Sequence, residues 1–501
     1  MTVFNRWLIW THRYVGIPLS VLFVLWFASG IVMMYTGGMP VLTPQDRLDG
    51  LPPLDLAQVR LTPSEAAAGA GMRHAVPRRA ALLTVLGRPA YRFDGVTVFA
   101  DTGSVLAPVG REAARSEASR FSGAPAVAVS HAGVVEQPDQ WTIYDRSVLP
   151  AHRFRVDDGA GTEVYVSRRT GEVGMVTTRR TRLLAWLGAI PHWFYLPALR
   201  VDRPLWEAVI VWTSAFGCLI AVTGLLLGFT RFRWRPSLNR EPRIPYAGPM
   251  WWHHLTGLVF GVATLTWVFS GLLSVQPFAW MTLQGLAVPP AALGGGPPVL
   301  ADFPEIEPAA WARATAGRAV KEIRLRRIDG APHYEVRLAG GEAGAHRRER
   351  LLLAADTLAP RTATAGVEQV VERLGAALPD IAVTDAARLE TYDRYYYGRG
   401  ADGPPLPVIR VRFADPLETW IYVDPADLRV TGSVHRFSRL ERWLFNGLHS
   451  LDFAFWYDRR PLWDIGLIAL SLGGLASSAL GLWIGAGRLR RGLGRLRSGA
   501  N

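Results

Sequence analysis

Residues 10–35 read WTHRYVGIPLSVLFVLWFASGIVMMY, and residues 251–276 read WWHHLTGLVFGVATLTWVFSGLLSVQ. Superposed at an offset of 241, Trp10, His12, Gly16, Trp26, Ser29 and Gly30 fall on Trp251, His253, Gly257, Trp267, Ser270 and Gly271. Each stretch is apolar for about the 20 residues that a helix needs to cross a bilayer, so each predicts a membrane span with an imidazole at its start. Further along, an offset of 257 carries Trp186, His192, Arg203, Pro204, Leu205, Trp206, Gly224 and Gly228 onto Trp443, His449, Arg460, Pro461, Leu462, Trp463, Gly481 and Gly485. At the same offset Pro150, Arg153, Arg155, Thr162 and Tyr165 meet Pro407, Arg410, Arg412, Thr419 and Tyr422. Such self-similarity predicts a duplicated unit of span, outer domain and span.

The composition agrees with a membrane protein. Of 501 residues, 49% are apolar and 19% charged, below the roughly 25% of ordinary soluble chains, which excludes bulk disorder. Nineteen Trp fit a chain with many half-wet rings. The net charge of +13 sits beside the apolar runs rather than in a phosphate-tracking stripe, so nucleic acid is excluded as a partner. Cys218 is the single cysteine, which rules out an intrachain disulfide, a Cys-rich metal centre and covalently attached haem.

Transmembrane helices are expected at 14–36, 206–229, 253–276 and 464–486. The first is read as an uncleaved anchor, because its apolar run outlasts a signal core and no A-x-A-like site follows. Arg6 and Arg13, then Arg231, Arg233, Arg235, Arg240 and Arg243, then Arg488, Arg490, Arg491, Arg495 and Arg497 fill the short segments 1–13, 230–252 and 487–501. Positive charge in short loops marks the cytoplasmic side. Residues 37–205 and 277–463 are then outside, as two small α+β domains. Alternating runs such as Thr162-Glu-Val-Tyr-Val and Val408-Ile-Arg-Val-Arg-Phe predict strands; Pro63 and Pro308 predict helix starts, and Gly294-Gly-Gly-Pro-Pro a linker. Units running in the same sense imply a pseudo-twofold axis along the membrane normal, with matching residues at matching depths.

That geometry decides how the histidines are read. His12 and His253 lie at the inner ends of spans, whereas His192 and His449 lie at the outer surface. One span is about 30 Å long, so an inner and an outer imidazole cannot hold one iron, but mates across a twofold can. The pairing predicts one b-type haem between His12 and His253 and another between His192 and His449, forming an electron path across the membrane. The alternative is that all four are interfacial anchors that share ancestry, and His254 stands beside His253 as a rival ligand. Arg203 and Arg460 are candidate partners of the outer haem because they recur; Arg6, Arg13 and the 231–243 loop are candidates for the inner propionates, although topology explains them as well. His74, His131, His152, His333, His346 and His435 have no mates and are expected at the surface.

The motifs Trp10-Thr-His-Arg-Tyr-Val-Gly16, Trp251-Trp-His-His-Leu-Thr-Gly257, and His449-Ser-Leu-Asp-Phe through Arg460-Pro-Leu-Trp463 into Gly481-Leu-Trp resemble the PepSY-associated transmembrane proteins. That family includes haem-containing reductases of ferric siderophores. The resemblance implies a bacterial inner membrane, periplasmic PepSY domains, His12, His192, His253 and His449 as axial haem ligands, and a periplasmic ferric siderophore as acceptor.

Neither G-x-G-x-x-G after a strand nor G-x-x-x-x-G-K-[ST] occurs, and the cytoplasmic segments are too short for a nucleotide domain, so an external donor is required. A flavoprotein, reduced flavin or a quinol would serve. Tyr144-Asp-Arg recurs as Tyr392-Asp-Arg ahead of Tyr395-Tyr-Tyr-Gly-Arg-Gly, which predicts either a structural bond between strands or a docking loop for a bulky chelate. Two other classes compete: a non-redox binding or peptidase-restraining module on a four-helix anchor, and a transporter, which the scarcity of polar residues in the spans disfavours.

Overall fold

The computed structural model describes residues 3–73, 76–234, 242–339, 350–398 and 403–498. His74, His346, Arg235, Arg240 and Arg399 lie outside them, and of Arg495 and Arg497 only the helical backbone is described. The chain divides into two compact units, one of residues 1–39, 180–283 and 437–501, the other of residues 40–179 and 284–436.

The first unit is helical. Four helices, Val3–Thr36, Arg203–Arg231, Pro249–Leu273 and Leu462–Ser498, are long and apolar enough to cross a membrane. The first and third each pack against the second and fourth, so they face one another across the bundle. Small residues allow the approach: a Cβ on Gly217 would meet Val268 and Phe23, and one on Gly474 would meet Phe27. The centre holds Leu19, Phe23, Phe27, Ile220 and Val268.

The expected boundaries shift. The first helix begins at Val3 and the last runs to Ser498, so the predicted cytoplasmic segments 1–13 and 487–501 are largely helix. Nothing requires a helix to stop at the edge of an apolar run when its next turns are good helix formers. Residues 180–205 and 437–463, assigned from sequence to the outer domains, belong to the helical unit.

The second unit is β-rich. Strands β1 (Ala80–Val85), β2 (Arg88–Phe93), β3 (Val96–Phe99), β8 (Val320–Ile328), β9 (Ala331–Leu338) and β10 (Arg350–Ala354) form one antiparallel sheet in the order β10-β9-β8-β1-β2-β3. Strands β4 (Val129–Val135), β5 (Ala151–Val156), β6 (Glu163–Ser167) and β7 (Val173–Thr177) form a second sheet under helix Arg111–Ser122. Strands β11 (Val383–Leu389), β12 (Val408–Phe413), β13 (Trp420–Asp424) and β14 (Arg429–Val434) form a third under helix Val367–Ala377.

Two separate α+β domains were expected, but β1 and β8, from different segments, pair directly, with Leu82 opposite Ile323. Each would otherwise leave a row of unpaired backbone groups at a sheet edge. A common core including Tyr91, Phe93, Trp311, Ile323 and Tyr334 follows. His152, His333 and His435 are buried rather than at the surface, where His131 remains. Strand alternation turns His152 inward beside Phe154, and its Nε2 finds the Val109 carbonyl at 3.0 Å.

Candidate functional site

His12 on the first long helix faces His253 on the third, with ring centroids 6.2 Å apart. His192 faces His449 at 6.1 Å. Two metal–nitrogen bonds of about 2 Å, with roughly 1 Å from each nitrogen to its ring centre, would separate two such centroids by about 6 Å. The His192 ring lies against Gly30, 18 residues beyond His12 and so about 27 Å along the same helix. The structure thus brings together two pairs that cannot share one ion.

Each ring is held by its Nδ1. In His12 this atom lies 3.2 Å from the Ile220 carbonyl oxygen and 3.2 Å from Thr223 Oγ1; in His253 it lies 3.0 Å from the Ser477 carbonyl oxygen. A carbonyl only accepts, so Nδ1 carries the proton in both rings and Nε2 keeps its lone pair. Ile220 and Ser477 are 257 positions apart, the offset seen in the sequence. His192 Nδ1 lies 3.0 Å from Ser29 Oγ, and His449 Nδ1 lies 2.9 Å from Ser270 Oγ. Ser29 donates to the Leu25 carbonyl and Ser270 to that of Trp267, so each hydroxyl is free to accept from its imidazole. No Nε2 of the four is hydrogen-bonded among the described residues. Orienting a ligand imidazole through its other nitrogen is what metal sites do.

Local structure explains how two of these histidines reach the bundle. His192 belongs to the short helix Ala189–Trp193 and His449 to Leu448–Ser450. Both helices end on a left-handed residue, Phe194 at φ 51° and Leu451 at φ 49°. Non-glycine residues hold that conformation only where the surroundings impose it. The clamp is an indole: Trp206 donates to the Trp193 carbonyl at 2.8 Å, and Trp463 to the Ser450 carbonyl at 3.1 Å. Arg460 lies over the Trp463 ring at 4.3 Å and Arg200 over Trp206 at 4.5 Å. Arg203 pairs with Glu207 and Arg460 with Asp464, each at 2.6 Å and one helical turn apart. The two arginines singled out from sequence therefore spend their charge on carboxylates of their own helices.

A cavity of about 450 Å³ surrounds the His12–His253 pair, within the roughly 300–1,000 Å³ range of cofactor sites. Glycines flatten its walls: a Cβ on Gly224 would stand 2.8 Å from His12 Cε1, and one on Gly481 3.2 Å from His253 Cε1. Arg13, Arg231 and Arg488 also line it, and among the described residues no carboxylate does. Among the described residues no group of three His, Cys, Asp or Glu could hold a metal ion. Two imidazoles about 6 Å apart, each with a lone pair left on Nε2, suit an ion that brings its remaining donors in a flat ring, as porphyrin iron does. The residues present fit that group.

Sequence reading named the four histidines but gave Ser29 and Ser270 only as small residues, serving either the close approach of a flat macrocycle or plain helix packing, and not as partners of the imidazoles. Their recurrence one position before Gly30 and Gly271 was the available signal. His254 is buried beside Tyr246 with its Nε2 unpartnered, and lines the cavity rather than facing His12.

The tyrosine motif of the second unit resolves differently from its sequence alignment. Asp393 accepts from Tyr422 Oη at 2.9 Å and pairs with Arg410 at 3.4 Å. The matching carboxylate in the first copy is Asp139, at 3.0 Å from Tyr165 Oη and 3.7 Å from Arg153, whereas Asp145 accepts from the Ser147 backbone. Burial and the neighbouring Asp393 push the Tyr422 phenol up. Tyr395, Tyr396, Tyr422 and Thr431 line a recess of about 210 Å³.

No curated relative matches the chain. The model of the PepSY-associated TM region matches residues 9–332, well over half of the 501, and four helices able to span a membrane accompany it. The chain belongs to the PepSY-associated transmembrane family.

Proposed function

We propose that the protein is a di-haem b electron carrier that reduces ferric siderophores. The observation that carries this reading is the set of four imidazoles in two pairs at 6.2 and 6.1 Å, each fixed through Nδ1 with Nε2 left without a hydrogen bond among the described residues. His12 with His253, and His192 with His449, would be the axial ligands. Haem supplies one-electron carriage at a potential set by its ligands, their hydrogen bonds and burial.

The chain's own residues do the rest. The Ile220 and Ser477 carbonyls and the Ser29 and Ser270 hydroxyls hold the rings in one tautomer, and the glycines keep the macrocycle's faces clear. The apolar centre of Phe23, Phe27 and Val268 keeps water from the path between the pairs. Fe(II) binds hard oxygen donors less tightly than Fe(III), so one electron loosens the chelate.

The recurring offsets support two like-oriented units related by a pseudo-twofold axis. Arginine placement supports cytoplasmic termini, and the family supports a bacterial inner membrane with the β-rich unit periplasmic. A flavoprotein, reduced flavin or a quinol would donate from the cytoplasmic side, and the tyrosine-lined recess is the candidate dock for the chelate.

A visible spectrum of the protein purified from haem-replete cells tests this. A b-type Soret band that shifts on dithionite is expected. Haem-free protein overturns it and leaves a non-redox module on a membrane anchor. His192→Ala and His449→Ala should remove one spectral component, and His12→Ala and His253→Ala the other.

A further inference from the structure

The arginines around the His12–His253 cavity are more than positive-inside markers. Arg13, Arg231 and Arg488 line its wall, yet none forms an ion pair among the described residues. Arg13 Nε is buried without a hydrogen-bond partner, and Arg488 lies within electrostatic range of Arg13. Two like charges beside an apolar cavity repel, a cost that an anion between them removes. Among the described residues no Asp or Glu lines the cavity to serve as that anion. His254, only 9% exposed, adds a second unsatisfied group on the same wall, its Nε2 without a partner. A neutral imidazole can donate from that nitrogen.

We infer that Arg13, Arg231, Arg488 and His254 form a seat for the two carboxylate arms of the macrocycle held by His12 and His253. This rests on the haem reading and adds to it the rotation and polarity with which the ring enters: its carboxylate edge lies at the arginine wall. Charge-assisted hydrogen bonds from guanidinium to carboxylate are about twice as strong as neutral ones, so the seat contributes affinity as well as orientation. Arg13 and Arg488 are positioning residues for the ring; the histidines remain its ligands.

The test varies the ligand before the protein. Full-length His449→Ala protein in lipid nanodiscs, which keeps only the inner pair, is titrated with iron protoporphyrin IX and with its dimethyl ester, following the Soret band. The expected result is bis-imidazole spectra for both, with the ester bound about tenfold or more weakly. Adding Arg13→Gln and Arg488→Gln should remove most of that preference while the ester's own affinity stays within about twofold. Equal affinity for acid and ester in the unmodified cavity overturns the inference and leaves the arginines to lipid phosphate. If neither compound binds, the haem reading itself fails. Because the first comparison needs no arginine variant, misfolding of the double variant leaves it decisive.

Discussion

On the proposed reading, the chemistry rests on one nitrogen in each of four rings. His12 and His253 donate from Nδ1 to main-chain carbonyls, acceptors that no side-chain substitution deletes, whereas His192 and His449 rely on Ser29 and Ser270. The second pair is therefore the more easily perturbed by mutation. Ser270→Ala should weaken macrocycle retention at that pair by about 10–100-fold and shift its midpoint potential, as loss of a ligand's orienting bond does elsewhere. A redox titration that shows the His192-sensitive component unmoved would refute the assignment. Gly224→Ala tests the other pair by crowding: its Cβ would stand 2.8 Å from His12 Cε1, closer than such atoms approach. Overpacking of this kind costs about 1–3 kcal/mol, and here the His12-sensitive component should be lost while the other persists. All four histidines were legible in the sequence, because identical residues recurring at offsets of 241 and 257 are visible without coordinates. The serines were visible too, but nothing in a sequence says which hydroxyl an imidazole will meet.

At the scale of elements, the segments carrying His192 and His449 follow the β-rich stretches in the chain, yet they fold with the helical unit. Hydropathy could not show this, because Ala189–Trp193 is a helix of five residues and Leu448–Ser450 of three, far too short for a period to register. Their position depends on Trp206 and Trp463 reaching back thirteen residues to a terminal carbonyl. Trp463→Phe keeps most of the apolar bulk and deletes that bond, worth about 1 kcal/mol. We expect a modest loss of stability with a clear change in the His449-sensitive spectrum. The unchanged spectrum of an intact variant would show that the indole only packs. Arg460→Ala should act in the same direction but less strongly, since it loses a ring contact at 4.3 Å and an exposed ion pair.

At the scale of the whole molecule, the two long connecting segments are joined through one sheet, with Leu82 and Ile323 almost wholly buried at the seam. Ile323→Ala should cost about 2–5 kcal/mol and loosen strands contributed by both segments, measurable as lost amide protection in β2 as well as β9. The same sheet carries Glu335, fully buried with Arg337 at 2.9 Å and Arg326 at 3.0 Å. Burial pushes its carboxyl up, but Arg326, Arg337 and Arg324 outweigh burial and hold it below the usual range. A carboxylate with a depressed folded value contributes stability above about pH 4.3, its unfolded value, and loses it as pH falls through the folded one. Thermal unfolding of this unit should therefore weaken in acid, and Glu335→Gln should flatten that dependence while lowering stability at neutral pH. Composition, hydropathy and an internal offset were sufficient to reveal the spans, the duplicated motifs and the histidines that recur, since each is a property of residue order along one chain. Which carbonyls and hydroxyls orient the imidazoles and how the two connecting segments share a sheet were decided only by tertiary packing. Those contacts join residues some 160 to 275 positions apart, and their partners are selected by shape and unsatisfied hydrogen bonds, which a linear pattern does not record.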